Sequence, residues 1–422
     1  MSDVALISSE EKVTLDSLPI TSMATSEIIV VGAGVVGCSL AFHLARAGKK
    51  VTVFDKARDV GAGMSARSGA LLRMHYTFAP EAELAWKSLS YFVHWEQMVG
   101  RDAERRGCGF VRTGFAIVVG PPNIERLRAN VAMLRTLGVD TDLIEPAELR
   151  ELEPAINVHD VALAAYEPQS GYADPVATTR SMAEAADRQG ATFKLGVPIA
   201  SIDAAGARVR GVVDAAGTRH EADAVCVVAG PWTDRLLSPL GAAIGIRAER
   251  AQIAFFKRPA ALQHCGCIDT ISGSYFRPHG DAETLIGLGD VKAEYEPDPD
   301  SFREDNDADF VTEVAERLAH RVPAMTGAGY SHGHAGIYDV SPDSRAVMGP
   351  VPGVVGLYAA AGFSGTGFKT APAVGAAMAE LILGGSAKTV DLRPFGFERL
   401  REGRPIRGQH EYLMGANFGH KL

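Results

Sequence analysis

Residues 28–73 read IIVVGAGVVGCSLAFHLARAGKKVTVFDKARDVGAGMSARSGALLR, and the order of features in them decides the fold. Four β-branched residues, Ile28 to Val31, run into the glycine pattern Gly32, Gly34, Gly37. A helical run to Gly48 follows, then a second strand over 50–54 that ends in Asp55. Strand, glycine turn, helix, strand and acid in this register form a βαβ unit that holds a dinucleotide. Gly32 permits the tight turn, Gly34 lets the backbone approach a pyrophosphate, and Gly37 lets helix and strand pack closely. The helix start, at Ala33, Val35 and Val36, offers unpaired N–H groups and a partial positive charge to the phosphates. Asp55, followed by Lys56, stands where a carboxylate binds the ribose hydroxyls of an adenosine. At this point NAD and FAD are equally open.

A chain of 422 residues exceeds the usual single-core limit, so two interleaved domains are expected. The 46% hydrophobic and 22% charged fractions are those of an ordinary globular protein. A net charge of −9, with no Lys/Arg-rich run, argues against nucleic acid as a partner. Five scattered cysteines fit reduced thiols in a cytoplasmic setting better than a disulfide framework. Cys265-Gly-Cys267 beside His264 lacks a second ligand pair at a usual spacing, so no metal is expected. No segment has the apolar length of a membrane helix. Residues 1–26 read as a disordered leader, and 401–422 as a C-terminal extension.

Farther along, the glycine- and serine-rich loop 61–69 holds Ser65, Ala66, Arg67 and Ser68, whose donors extend the phosphate cradle. Apolar spacing predicts an amphipathic helix over 80–106, then a strand over 111–119. Helices are expected over 123–137, from Pro146, and over 172–188, with strands over 193–202, 209–213 and 224–228. From 241 to 330 short strands dominate (250–256, 274–278, 284–288), with an acidic exposed loop over 290–309 and a helix over 309–321. A strand over 354–361 leads into Gly362-Phe-Ser-Gly-Thr-Gly-Phe-Lys369, a second glycine-rich junction, and a helix over 372–383.

Four stretches together carry a resemblance: GAGVVG with Asp55, GMSARSGALLR at 63–73, VVAGPW at 227–232, and SPDSRAVMGPVPGVVGLYAAAGFSGTGFKTAPAVG at 341–375. The chain after residue 27 resembles the FAD-dependent D-amino-acid oxidase superfamily, in its sarcosine oxidase, dimethylglycine dehydrogenase and glycine oxidase branch. The resemblance implies an α/β fold: a Rossmann-like FAD-binding domain of glutathione-reductase type with an inserted mixed, largely antiparallel substrate domain. It implies FAD-binding segments at 27–108, 166–240 and 331–400, and substrate-binding segments at 109–165 and 241–330. The FAD contacts it implies are those of the βαβ unit and loop above, with Val197, Ala229, Gly230, Trp232, Gly362, Phe363, Ser364, Gly365, Thr366, Gly367, Phe368 and Lys369.

The same resemblance implies oxidation of a C–N bond by hydride transfer to the flavin, followed by imine hydrolysis. Arg73 and Lys369 match positions that hold the substrate carboxylate, the arginine as a fork and the lysine as a point charge. Tyr275 matches a position near the substrate, and His75 and Tyr338 are weaker candidates. His332 and His334, two apart on a strand, have no partner at ligand spacing. Gly336 stands where related oxidases carry the cysteine that bonds the flavin, which implies non-covalent FAD. Leu285 stands where they carry an oxygen-activating lysine, which leaves oxygen and a protein or quinone as acceptors. An N-methyl or other secondary amino acid is the expected substrate. A D-amino acid, a 2-hydroxy acid, or a non-catalytic assembly role on the same fold are the alternatives.

Overall fold

The computed structural model describes residues 27–101, 107–289, 294–296 and 298–413. The expected leader, and the extension beyond 413, lie outside the described residues. A six-stranded sheet runs in the order Val347–Pro350, Leu357–Ala361, Ala224–Val227, Glu27–Val31, Lys50–Asp55, Thr192–Leu195. Its pairs are parallel except at the first edge. Ile28 to Val31 are all apolar because the central strand is buried on both faces. Ile28 and Val30 pack with Leu40, Leu44, Met182 and Val374 of the helices Val35–Arg46, Pro175–Arg188 and Gly367–Gly384. Ile29 and Val31 pack on the other face with Ile202 and Val212, from the three-stranded sheet Ile199–Ala205, Arg208–Asp214, Arg219–Glu221. The result is a three-layer unit with the glycine turn at the strand ends.

The turn itself is sterically tight. Gly32 has φ +118°, and a Cβ on Gly37 would stand 1.9 Å from the Gly32 carbonyl oxygen. Helix and strand reach their spacing only because neither residue has a side chain.

A nine-stranded sheet forms the second unit. Eight strands run in the order Glu294–Glu296, Arg247–Lys257, Glu283–Leu288, Ser274–His279, Gly266–Asp269, Phe115–Val119, Leu163–Glu167, Asp142–Ile144. All pairs are antiparallel except Gly266–Asp269 with Phe115–Val119. The helix Ala308–Arg321 covers one face through Phe310, Val314 and Leu318, against Phe256, Phe276 and Ile286. The other face, with Ile253, Phe255, Tyr275 and Leu285, looks toward the glycine-rich loops.

Several expected boundaries move. The strand Tyr330–Val340 pairs with Arg247–Lys257 along its whole length, so residues 331–340 sit in the large sheet and not with the nucleotide unit. The helix expected over 80–106 is Ala79–Val93, broken at His94 and resumed over Trp95–Met98. The break buries Trp95, whose indole N–H donates to Ser181 Oγ at 2.8 Å. Residues 102–106 lie outside the described residues.

The strand expected over 111–119 is two strands, because Val111–Arg112 pairs with Gly171–Tyr172 while Phe115–Val119 joins the large sheet. That over 193–202 divides between the six-stranded and three-stranded sheets at Gly196, with φ +73°. The helix expected from 172 begins at Pro175, capped by Asp174 Oδ1, which accepts the N–H groups of Val176 and Ala177. Pro372 lies inside the last long helix and does not start it. Ser88 bridges the proline's disturbed turn, accepting the N–H of Ala373 and donating to the carbonyl of Thr370.

Candidate active site

A cavity of about 820 Å³ opens between the two sheets, within the roughly 300–1,000 Å³ typical of ligand and cofactor sites. Gly32, Gly34, Val35 and Val36 line its nucleotide end with Asp55, Lys56 and Val197. Asp55 Oδ2 accepts the Ala33 N–H at 2.7 Å and Oδ1 the Ala57 N–H at 2.8 Å, so the carboxylate is clamped in place. Each oxygen keeps a lone pair for a ribose hydroxyl. Val35 N–H donates to Ser65 Oγ at 2.9 Å, which docks the 61–69 loop on the helix start.

Ser65, Arg67 and Ser68 line the cavity, as do Ala229, Gly230, Trp232 and Phe363 through Lys369. Ala33, Gly37, Ala66 and Gly362 do not; they stand behind the wall and shape it. The Gly362 N–H, for example, donates to Asp339 Oδ2 at 2.7 Å. Asp339, a lining residue that no motif singles out, is pushed up to about 6 by burial, against the pull of backbone N–H groups.

Arg67 turns away from a phosphate role. It pairs with Glu304 at 2.9 Å and donates to the Ala335 carbonyl, tying the loop to the large sheet. Lys56 stacks on Trp232 at 3.8 Å and pairs with Asp300, which also accepts from the Trp232 indole and from Arg235. Pro299, Asp300, Phe302 and Glu304 line the cavity mouth, although their acidic, proline-bearing stretch reads in sequence as an exposed loop.

At the opposite end the chain brings together two buried cations. Arg73 is 6% exposed and Lys369 9%. Their charged groups lie 4.5 Å and 5.8 Å from the centroid of the same Tyr76 ring, and both line the cavity. Burial first, and the Arg73 charge second, lower Lys369 to about 7. Its place in the first turn of Gly367–Gly384 also disfavours a cation there. Two buried carboxylates act on this end: Glu81 pairs with Arg345, and Glu167 Oε2 accepts from Ser170 Oγ at 2.7 Å and from Met74 N–H at 3.0 Å, while its Oε1 has no hydrogen bond among the described residues. This end of the cavity therefore carries two basic side chains on one aromatic ring.

Tyr275 reaches the cavity wall and hydrogen-bonds Tyr338, another lining residue. Both hydroxyls are pushed up by burial. His75 does not reach the cavity. It is fully buried, its Nε2 lies 2.6 Å from Tyr412 Oη, and burial holds it neutral at about 3, so the expected catalytic placement is corrected to a structural one. His332 stacks on Phe255, with ring centroids 4.2 Å apart, and His334 Nε2 lies 3.1 Å from the Arg67 carbonyl. Gly336 lines the cavity, where a Cβ would stand 3.2 Å from Arg67 Cβ. Leu285 is fully buried and packs toward Gly69 behind the wall. Among the described residues no cysteine or histidine lines the cavity.

A family model described as FAD dependent oxidoreductase (DAO) matches residues 27–381. The chain belongs to the DAO family of FAD-dependent oxidoreductases. As a family member it is 28% identical over 411 residues to FAD-dependent oxidoreductase domain-containing protein 1 of Bos taurus, covering 89% of this chain and 84% of that protein. It is 26% identical to mitochondrial sarcosine dehydrogenase of Mus musculus, covering 94% of this chain and 44% of the relative. The L-proline dehydrogenase structure from P.horikoshii superposes with a TM-score of 0.82 at 25% identity, covering 90% of this chain and 99% of that one.

The residues fit FAD. The N–H groups of Ala33 and Val35, expected to be unpaired, are taken by Asp55 and Ser65; the clamped Asp55 and the side-chain-free approach at Gly34 suit the adenosine and pyrophosphate. The apolar middle, with Ile253, Ile268 and Phe363, suits a flavin ring. Among the described residues no helix is long and apolar enough to cross a membrane.

Proposed function

We propose that this oxidoreductase oxidises the C–N bond of a small carboxylate-bearing amine, foremost an N-methyl or other secondary amino acid. The observation that carries the reading is the pair Arg73 and Lys369, two buried cations on one tyrosine ring at the flavin end of the cavity. Two buried cations side by side raise the local positive potential, which favours a bound anion. A substrate carboxylate is such an anion, accepting two parallel hydrogen bonds from the Arg73 fork while Lys369 adds charge.

Bound FAD takes up the two electrons that leave the C–H bond beside nitrogen, and water hydrolyses the imine product. The chain's own part is placement and electrostatics. Anchoring the carboxylate at Arg73 and Lys369 directs the amine toward the wall formed by Tyr275 and Tyr338. The two cations also disfavour a protonated amine, so the substrate presents its lone pair without a dedicated base. A hydroxy acid would need one, and His75 is turned away.

The cavity wall offers no cysteine or histidine for a flavin bond, which supports non-covalent FAD. Leu285 carries no charge, but the buried Arg277 beside it donates to the Gly69 carbonyl at 2.7 Å, so oxygen and a protein or quinone are alike open as acceptor. Sarcosine and proline, named in two relatives, are both secondary amino acids. The buried, unpaired cysteines support a reducing compartment such as the cytoplasm.

The test is anaerobic flavin reduction by a panel of N-methyl and D-amino acids, with readmission of oxygen. Bleaching by the N-methyl acids is expected, and the rate of reoxidation then separates oxygen from a protein or quinone as acceptor. Bleaching only by D-amino acids, or by none, would refute the substrate class.

A further inference from the structure

Residues 73–77 carry the anion end of the cavity, and outside the short strand Leu71–Leu72 they have no regular secondary structure to hold them. Two other elements do. On one side Met74 N–H donates to the buried Glu167 at 3.0 Å. On the other lies the last described stretch of the chain. Gln409 N–H donates to the Thr77 carbonyl at 2.8 Å, and Tyr412 Oη meets His75 Nε2 at 2.6 Å with the rings stacked 5.9 Å apart.

The tail is in turn fastened to the helix Ile124–Thr136 and its approach. Arg126 and Asn130 donate to the carbonyls of Glu411 and His410, and Asn123 exchanges two hydrogen bonds with the Leu413 backbone. Tyr412 is 4% exposed, so this contact is packed and not incidental. The guanidinium of Arg73 donates to the carbonyl of His75, the residue whose ring Tyr412 holds.

We propose that the C-terminal tail is a working part of the anion site: Tyr412 is a positioning residue that, through His75, fixes the guanidinium of Arg73 for a substrate carboxylate. The inference rests on the carboxylate-clamp reading of Arg73. A chain truncated before residue 405 would keep every cavity-lining residue and lose this buttress.

Acetate binding to the FAD-loaded protein, read from the flavin absorbance with acetamide as the uncharged control, tests it. Tyr412→Phe removes the hydroxyl, with its hydrogen bond to His75 and its interaction with Asn130, and keeps the ring. Acetate affinity should fall about 3- to 10-fold, the share of one such bond, with flavin stoichiometry and acetamide binding unchanged and faster amide exchange at 74–77. Asn123→Ala, which frees the tail at Leu413 without touching His75, should shift acetate in the same direction and serves if Tyr412→Phe does not fold. Unchanged acetate affinity in both variants, or parallel loss of acetate and acetamide, overturns the role of the tail. Arg73→Ala in the same assay separates the two ideas: if it weakens acetate while the tail variants do not, the clamp stands alone. If it leaves acetate unchanged, the clamp itself fails.

Discussion

Arg73 and Lys369 are almost three hundred residues apart in sequence, yet their charges share the ring of Tyr76 at 4.5 Å and 5.8 Å from its centroid. One follows the first glycine-rich junction and the other closes the second. Folding the two strand-to-helix junctions to the same end of one sheet, with Ala224–Val227 between their strands, therefore brings the glycine-rich loops and the two cations together.

Arg73→Ala should remove a charge-assisted hydrogen bond worth about 1.5–3 kcal/mol, or roughly 10- to 150-fold in affinity for a carboxylate. Flavin content should stay at the parent level, because Asp55 and the glycine turn are untouched. Steady-state KM with the best N-methyl substrate, alongside the flavin-to-protein ratio, checks both halves.

Lys369 gives the site a pH dependence. With its pKa lowered to about 7, the free protein holds the ammonium below neutrality and loses it above. Carboxylate affinity should thus be fullest below pH 7 and decline as pH rises through it. A bound anion favours the protonated form and extends the window upward. Lys369→Met should flatten the profile at the weak end; a profile that rises with pH would contradict the assignment.

Gly37→Ala places a methyl 1.9 Å from the Gly32 carbonyl oxygen. The helix must move off the strand, at about 1–3 kcal/mol, and flavin retention through gel filtration should drop. Gly48→Ala is no control for space alone, since φ there is +78°, although nothing lies within 4 Å of its added Cβ. A smaller loss is expected from it.

At the cavity mouth, Asp300 ties Lys56, Trp232 and Arg235 together. These pairs are half exposed, and each exposed pair contributes only about 0–1 kcal/mol. Asp300→Ala should therefore speed flavin release a few-fold, and 0.5 M salt should reduce the difference between variant and parent. Release kinetics followed by flavin fluorescence give the measurement.

The nucleotide half was legible because its chemistry is local: a buried parallel strand, a glycine turn and a terminal acid are adjacent in sequence. The motifs named Arg73 and Lys369 as candidates, but their meeting on the Tyr76 ring depends on the fold. What was hidden depends on distant contacts. Nothing near Pro372 announces that Ser88 lets the helix start five residues earlier. Nor does the acidic run around Asp300 show that basic residues on the other unit draw it over the cavity. His75 looked available because it lies two residues from Arg73, a candidate site residue, while its partner, Tyr412, lies more than three hundred residues away.

The most direct test of the account compares, under anaerobic conditions, flavin bleaching by an N-methyl amino acid and by its amide, which keeps the amine and removes the negative charge. The account predicts rapid bleaching by the acid and at least a 10-fold slower reaction with the amide at equal concentration, the lower bound of one charge-assisted contact. Equal bleaching by both, or by neither, would contradict it.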